Sequence, residues 1–180
     1  MHIERLGDLG SPADVLRMLA AGARRAGLPP PAALIGEWFG SAAVIAPSVD
    51  VQPVNPAQVF DAPPGDGPGV GGGWIGYLSY PDTGADGAAP RIPEAAGGWT
   101  DCVLRCDVDG CWWFESLIDG GLPGWVRAAL HDAPVRPAWH IAWERPEVEQ
   151  HRAGVLDCLA AIGAGEIYQA CVCTQFAGRL

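Results

Sequence analysis

The chain contains no lysine; all 11 of its basic residues are arginine. That absence removes Schiff-base, P-loop and ammonium-base chemistry supplied by these residues. Charge of any kind is scarce, at 18% of residues, and what there is leaves a formal net charge of −10. An acidic surface without a basic stripe repels phosphate backbones, so nucleic acid is not an expected partner. No apolar run approaches the ~18 residues that a membrane span needs, and no membrane partner is expected. The opening residues, Met1 to Gly10, lack the apolar stretch of an export signal. The expected location is therefore the cytoplasm, with the six cysteines kept as thiols.

What is abundant is glycine, 25 residues, and proline, 17, which predicts much turn and loop around modest regular structure. Ser11, Pro12 and Asp14 make a capping box, and Gly27 a stop, for a first helix with Val15, Met18, Leu19 and Ala23 on one face. Two apolar runs, 32–36 and 42–46, read as a strand pair. The stretch 54–73 reads as loop. Its Gly65–Gly73 tract lacks the Gly-Lys-Ser/Thr ending of a phosphate loop and has no helix after it, so a flexible turn is expected there.

Residues 74–80 alternate as a strand, and Gly76 inside it signals a close approach of backbone or ligand. A loop is expected over 81–98. Strands over 100–108 and 111–117 flank the Asp109-Gly110 hairpin signal. A short helix near 125–130 and a strand at 139–143 follow. Pro146 then opens a helix whose stripe is Val148, Val155, Leu159 and Ile162, and 167–176 reads as a strand. The order predicts an α+β protein of antiparallel sheets with outer helices.

Cys102, Cys106 and Cys111, like Cys171 and Cys173, lack the C-x2-C spacing of a zinc knuckle; small buried thiols are the simpler reading. The four histidines and the carboxylates are scattered without catalytic spacing. Trp112-Trp113 should put one indole on each face of its strand. The segment 165–176 differs: alternation would place Gln169 and Gln175 on one face of an otherwise apolar strand. Such amides need partners, either water on an exposed face or a ligand in a polar cleft.

Ala164-Gly165-Glu166-Ile167-Tyr168-Gln169 resembles the Ala-Gly-Asp/Glu-Ile-Tyr/Phe-Gln signature of the chorismate-binding enzymes. Gly73-Trp74-Ile75-Gly76-Tyr77-Leu78-Ser79-Tyr80 looks like that family's Gly-Gly-x-x-Gly-Tyr-Leu-x-Tyr segment, and Ile92-Pro93-Glu94 like its approach to the next strand pair. Within the family the likeness is greatest to the aminodeoxychorismate synthase component I branch. The resemblance implies the amino-terminal part of the anthranilate synthase component I-like α/β sandwich. Residues 1–145 would form its sheet-rich region, and 146–180 would begin a truncated catalytic domain.

It also implies a transferase that aminates chorismate to 4-amino-4-deoxychorismate, on the way to 4-aminobenzoate and folate. A glutamine amidotransferase subunit would supply ammonia. Magnesium would be the cofactor, with its ligands downstream of these residues. Gln169 matches the position where isochorismate-forming members carry a lysine base; a neutral amide cannot activate water that way and suits ammonia as nucleophile. Tyr168 and Gln169 would contact substrate. Cys171 stands where members carry asparagine. Leu34-Ile35-Gly36-Glu37 corresponds to a Leu-Leu-x-Ser segment with which some relatives bind tryptophan, which makes Glu37 and Ser41 candidates for an aromatic-ligand pocket. The alternatives are anthranilate synthase component I, in tryptophan biosynthesis, and a non-catalytic aromatic-ligand-binding or structural module.

Overall fold

A computed structural model describes residues 1–59, 69–79, 92–134 and 140–179. The chain divides into two compact units, Met1–Val135 and Arg136–Leu180. The architecture is α+β, with antiparallel sheets and few helices. No helix among the described residues is long and apolar enough to cross a membrane.

The first unit begins with β1 (His2–Gly7), an edge strand that the sequence pattern did not announce. Helix α1 (Pro12–Arg25) follows. Ser11 caps it: its hydroxyl accepts from the Asp14 amide at 3.2 Å and donates to the Asp14 carboxylate at 2.8 Å. At the far end Gly27 takes a φ of +66°, and the Leu28 amide reaches back to the Ala23 carbonyl at 2.9 Å. That is a Schellman stop, which a left-handed glycine permits. Val15, Met18, Leu19 and Ala23 are buried as the 3.6-residue period requires.

Strands β2 (Ala32–Trp38) and β3 (Ser41–Ala46) form a hairpin around Phe39-Gly40, both at positive φ. Then come β4 (Gln52–Pro53), β5 (Gly73–Leu78), β6 (Ala95–Thr100), β7 (Cys102–Cys106), β8 (Trp112–Ser116) and α2 (Gly124–Leu130). Five strands make one antiparallel sheet in the order β1-β8-β7-β3-β2; β4-β6-β5 make another. The core lies between the larger sheet and the helices: Ala43, Ile45, Leu104, Cys106, Trp112 and Phe114 meet Val15, Leu19 and Val126. Each large apolar side chain fully buried there contributes about 1.5–3 kcal/mol. Trp112 is the core indole, its Nε1 donating to the Gly10 carbonyl at 3.0 Å, while Trp113 is half-buried on the opposite face.

Asp107 organises the β7–β8 turn. Its carboxylate accepts from the Asp109 and Cys111 amides and from Trp113 Nε1. The Trp113 bond, followed by those two amides, holds its carboxyl below the usual range despite a counteracting desolvation. The stabilisation is complete above the unfolded value and is lost as pH falls through the lowered one.

Strand β6 falls partly within the expected 81–98 loop, because Ala95-Ala96-Gly97-Gly98 carries no strand signal. Glycine is nonetheless what this position needs. The Trp74 indole lies over Gly97 so closely that a Cβ there would come within 2.1 Å of the ring. The approach that Gly76 foreshadowed is the same one: Gly76 pairs with Gly97 and sits 2.4 Å, at the Cβ position, from that indole. The expected 100–108 strand is likewise two elements, broken at Asp101. The start of the rejected phosphate loop, 65–68, and Tyr80 and Trp139 lie outside the described residues.

The second unit holds β9 (Ala142–Glu144), α3 (Val148–Gly163) and β10 (Ala177–Arg179), with β9 and β10 paired antiparallel. None of the residues of α3 is buried, and Val148, Leu159 and Ile162 of its expected stripe are exposed. The strand expected over 167–176 is not formed: the segment is irregular up to Ala177. Its alternation fits a strand, but a strand also needs a ladder, and only 177–179 find one, against 142–144.

Gly97→Ala should destabilise the first unit by about 1–3 kcal/mol, the scale of an overpacked site. Gly120→Ala, with open space at its Cβ, should stay within about 0.5 kcal/mol. Urea denaturation midpoints compare the two.

Candidate functional site

On the sheet face away from the helices, the chain buries a carboxylate. Glu115 of β8 is 0% exposed. Its Oε2 accepts the amides of Val70 and Gly71 at 2.6 and 3.1 Å, and its Oε1 accepts Arg105 Nε at 2.5 Å. Arg105 is in register with Trp113, so Glu115 lies diagonally across the same face, two residues along β8. The guanidinium sits 6.0 Å from the Trp113 ring centroid and extends Nη1 to Ser41 Oγ at 3.4 Å. The segment 69–73 is thus no free turn. Gly69 lies so near the carboxylate that a Cβ would stand 2.6 Å from Oε2. Paired backbone amides of this kind are an anion site, and here the anion is the chain's own side chain.

Beside this contact lies an apolar cavity of about 100 Å³ within the first unit. Leu34, Val44 and Val103 of the five-stranded sheet line it, with Val70, Trp74 and Ile75 opposite. Phe39 borders it from the hairpin tip, 71% exposed and at a φ of +52°, a conformation a bulky side chain rarely takes. The volume suits a small flat apolar group.

The residues suggested by the sequence are placed as follows. Leu34 borders the cavity; Glu37 is exposed and not among its lining residues. Ser41 is buried but turned to Arg105 and, at 3.4 Å, to the Phe39 carbonyl. The structure therefore does not bring Glu37 and Ser41 together at the cavity. Tyr168, 92% exposed, and Gln169, also exposed, stand on the irregular segment of the second unit. Near them in sequence, an open hollow of about 410 Å³ is lined by Glu147, Gln150, His151, Cys173, Thr174 and Gln175 among others. His151 Nδ1 and Thr174 Oγ1 share a hydrogen bond of 2.9 Å there. Gln175 reaches this hollow and Gln169 does not.

Glu115 and Arg105 escaped the sequence reading. The available signal was one charge in each of two apolar runs, Cys-Val-Leu-Arg-Cys and Trp-Trp-Phe-Glu-Ser, flanking an Asp-Gly turn. Counting outward from that turn brings them to one face.

Among the described residues no three His, Cys, Asp or Glu side chains gather where they could hold a metal. All six cysteines are free thiols. Burial, and secondarily Asp101, pushes the Cys102 thiol from the ordinary 9.0 up to about 11. Compared with protein-family models, with curated proteins and with solved structures, the chain finds no match.

Thiolate, not thiol, is what alkylates. At pH 9, iodoacetamide should modify the exposed Cys171 and Cys173 first, and Cys102 on the order of tenfold or more slowly. Peptide mapping over time reads the order; Cys102 reacting as fast as Cys171 would refute the burial argument.

Proposed function

We propose that this chain forms the amino-terminal part of a chorismate-converting transferase of the aminodeoxychorismate synthase component I kind. In that reading the intact enzyme aminates chorismate to 4-amino-4-deoxychorismate with ammonia from a glutamine amidotransferase subunit. The single observation that carries the reading is the Ala164–Gln169 segment. It follows directly on α3, and its Tyr168 and Gln169 remain exposed rather than consumed in a core. The bare apolar stripe of α3 supports the same reading, since such a face is stable in water only when another element covers it. Gln169 would orient ammonia or the ring hydroxyl as a neutral hydrogen-bonding group, and Tyr168 would contact substrate. Chorismate is a dicarboxylate and needs magnesium or cationic donors; among the described residues no three His, Cys, Asp or Glu side chains gather as metal ligands. In this reading the magnesium ligands lie in a catalytic region outside these residues.

A second reading, a non-catalytic aromatic-ligand module, is favoured by one feature: the apolar cavity bordered by Trp74 and Phe39.

The chain alone should give no turnover. Joined to a component I catalytic region and supplied with chorismate, glutamine, magnesium and the amidotransferase, it should yield aminodeoxychorismate, and Gln169→Ala in that protein should lower the rate by about 10²-fold or more. Anthranilate as product would move the assignment to the sister enzyme; no product from any such fusion would sink it. Calorimetry with tryptophan and with chorismate tests the second reading, for which micromolar binding by the 180-residue chain is the required result.

A further inference from the structure

The transferase reading makes no use of the thiols of Cys171 and Cys173, yet their setting in the second unit is unlike that of the other four cysteines. Those four are buried or half-buried, while Cys171 and Cys173 are both exposed. The residues that alternate with them turn the other way. Val172 is half-buried over α3, where a Cβ on Gly154 would stand 3.4 Å from its Cγ1. Thr174 Oγ1 shares its 2.9 Å hydrogen bond with His151 Nδ1. Two thiols separated by one residue are thereby presented to solvent, and Cys173 borders the open hollow beside α3. Whether such a pair can be bridged depends on the backbone. A disulfide needs Cβ atoms about 3.5–4.5 Å apart. In a strand, residues i and i+2 stand about 6.6–7.2 Å apart with side chains parallel, so a paired strand holds them out of reach. Residues 171–176 are irregular and the ladder begins only at Ala177, so no cross-strand pairing opposes the bend that joins the two sulfurs.

We propose that Cys171-Val172-Cys173 is a redox-active dithiol, which a low-molecular-weight disulfide oxidises reversibly to an intrachain disulfide. The Cys173 thiolate attacks one sulfur of the small disulfide, whose S–S bond breaks and releases one thiolate. The Cys171 thiolate then attacks the Cys173 sulfur of the mixed disulfide and expels the second thiolate. The dithiol gives up two electrons and two protons, and the small disulfide leaves as two thiols. Because the second step is intramolecular, the mixed disulfide does not accumulate. An exposed bridge of this kind is readily reduced again. The inference rests on thiol chemistry alone and is independent of the transferase reading.

The test equilibrates the 180-residue chain with mixtures of reduced and oxidised glutathione. An acid quench, alkylation under denaturing conditions and peptide mapping by mass then read the state of each thiol. The peptide carrying Cys171 and Cys173 should pass from doubly alkylated to a form two hydrogens lighter than the free dithiol. That form should outnumber the glutathione adduct about tenfold or more, and an excess of reduced glutathione should reverse it. Cys102 and Cys106 should stay alkylated throughout. Cys171→Ser and Cys173→Ser, both at exposed positions, should each stop at the glutathione adduct of the remaining thiol. A parent chain that accumulates the adduct instead, or that stays doubly alkylated, would overturn the proposal. So would a bridge from either residue to Cys158, or disulfide-linked dimers as the main product.

Discussion

Burying a carboxylate away from water is costly unless hydrogen-bond donors meet its oxygens. Glu115 meets that demand with two backbone amides and one guanidinium. Removing one member of such a set leaves an uncompensated charge, at a cost of about 3–5 kcal/mol. Much else in the first unit is arranged around it. The Arg105 guanidinium sits 6.0 Å from the Trp113 ring centroid, the buried Ser41 meets Arg105, and the Gly69–Gly73 segment approaches as only glycine-rich chain can. The segment that Glu115 holds leads directly into β5, where the Trp74 indole packs on Gly97.

The two units answer differently to the same hydrophobic effect. In the first, α1 and α2 cover one face of the five-stranded sheet, Gly22 letting them approach until a Cβ would stand 2.5 Å from that of Ala129. In the second, one helix and a two-stranded ladder bury little. A single ladder of that size is marginal in water, and an apolar helical stripe without a partner adds nothing to it.

Local signals were legible where the cause is local. Ser11, Pro12 and Gly27 mark α1 because caps and stops act within one turn. Asp109-Gly110 marks the β7–β8 hairpin for the same reason, and Trp112-Trp113 divide between faces because a strand has a period of two. Signals failed where the cause lies across the fold. β6 has almost no side chains to announce it, since its glycines answer to an indole on the neighbouring strand. The 167–176 segment has the alternation of a strand but no ladder beside it. The Gly71–Gly73 tract reads as a loose turn until Glu115, more than forty residues later, is found to hold it.

The sequence by itself determined the class, α+β with antiparallel hairpins, and the ends of α1. Only the tertiary structure decided that Glu115 and Arg105 meet, that Ser41 turns to Arg105, and that an apolar cavity lies between the sheets. The reason is physical. Caps, turns and periodicity are settled between near neighbours in the chain, whereas burying a charge is settled by whichever donors the fold brings to it from afar.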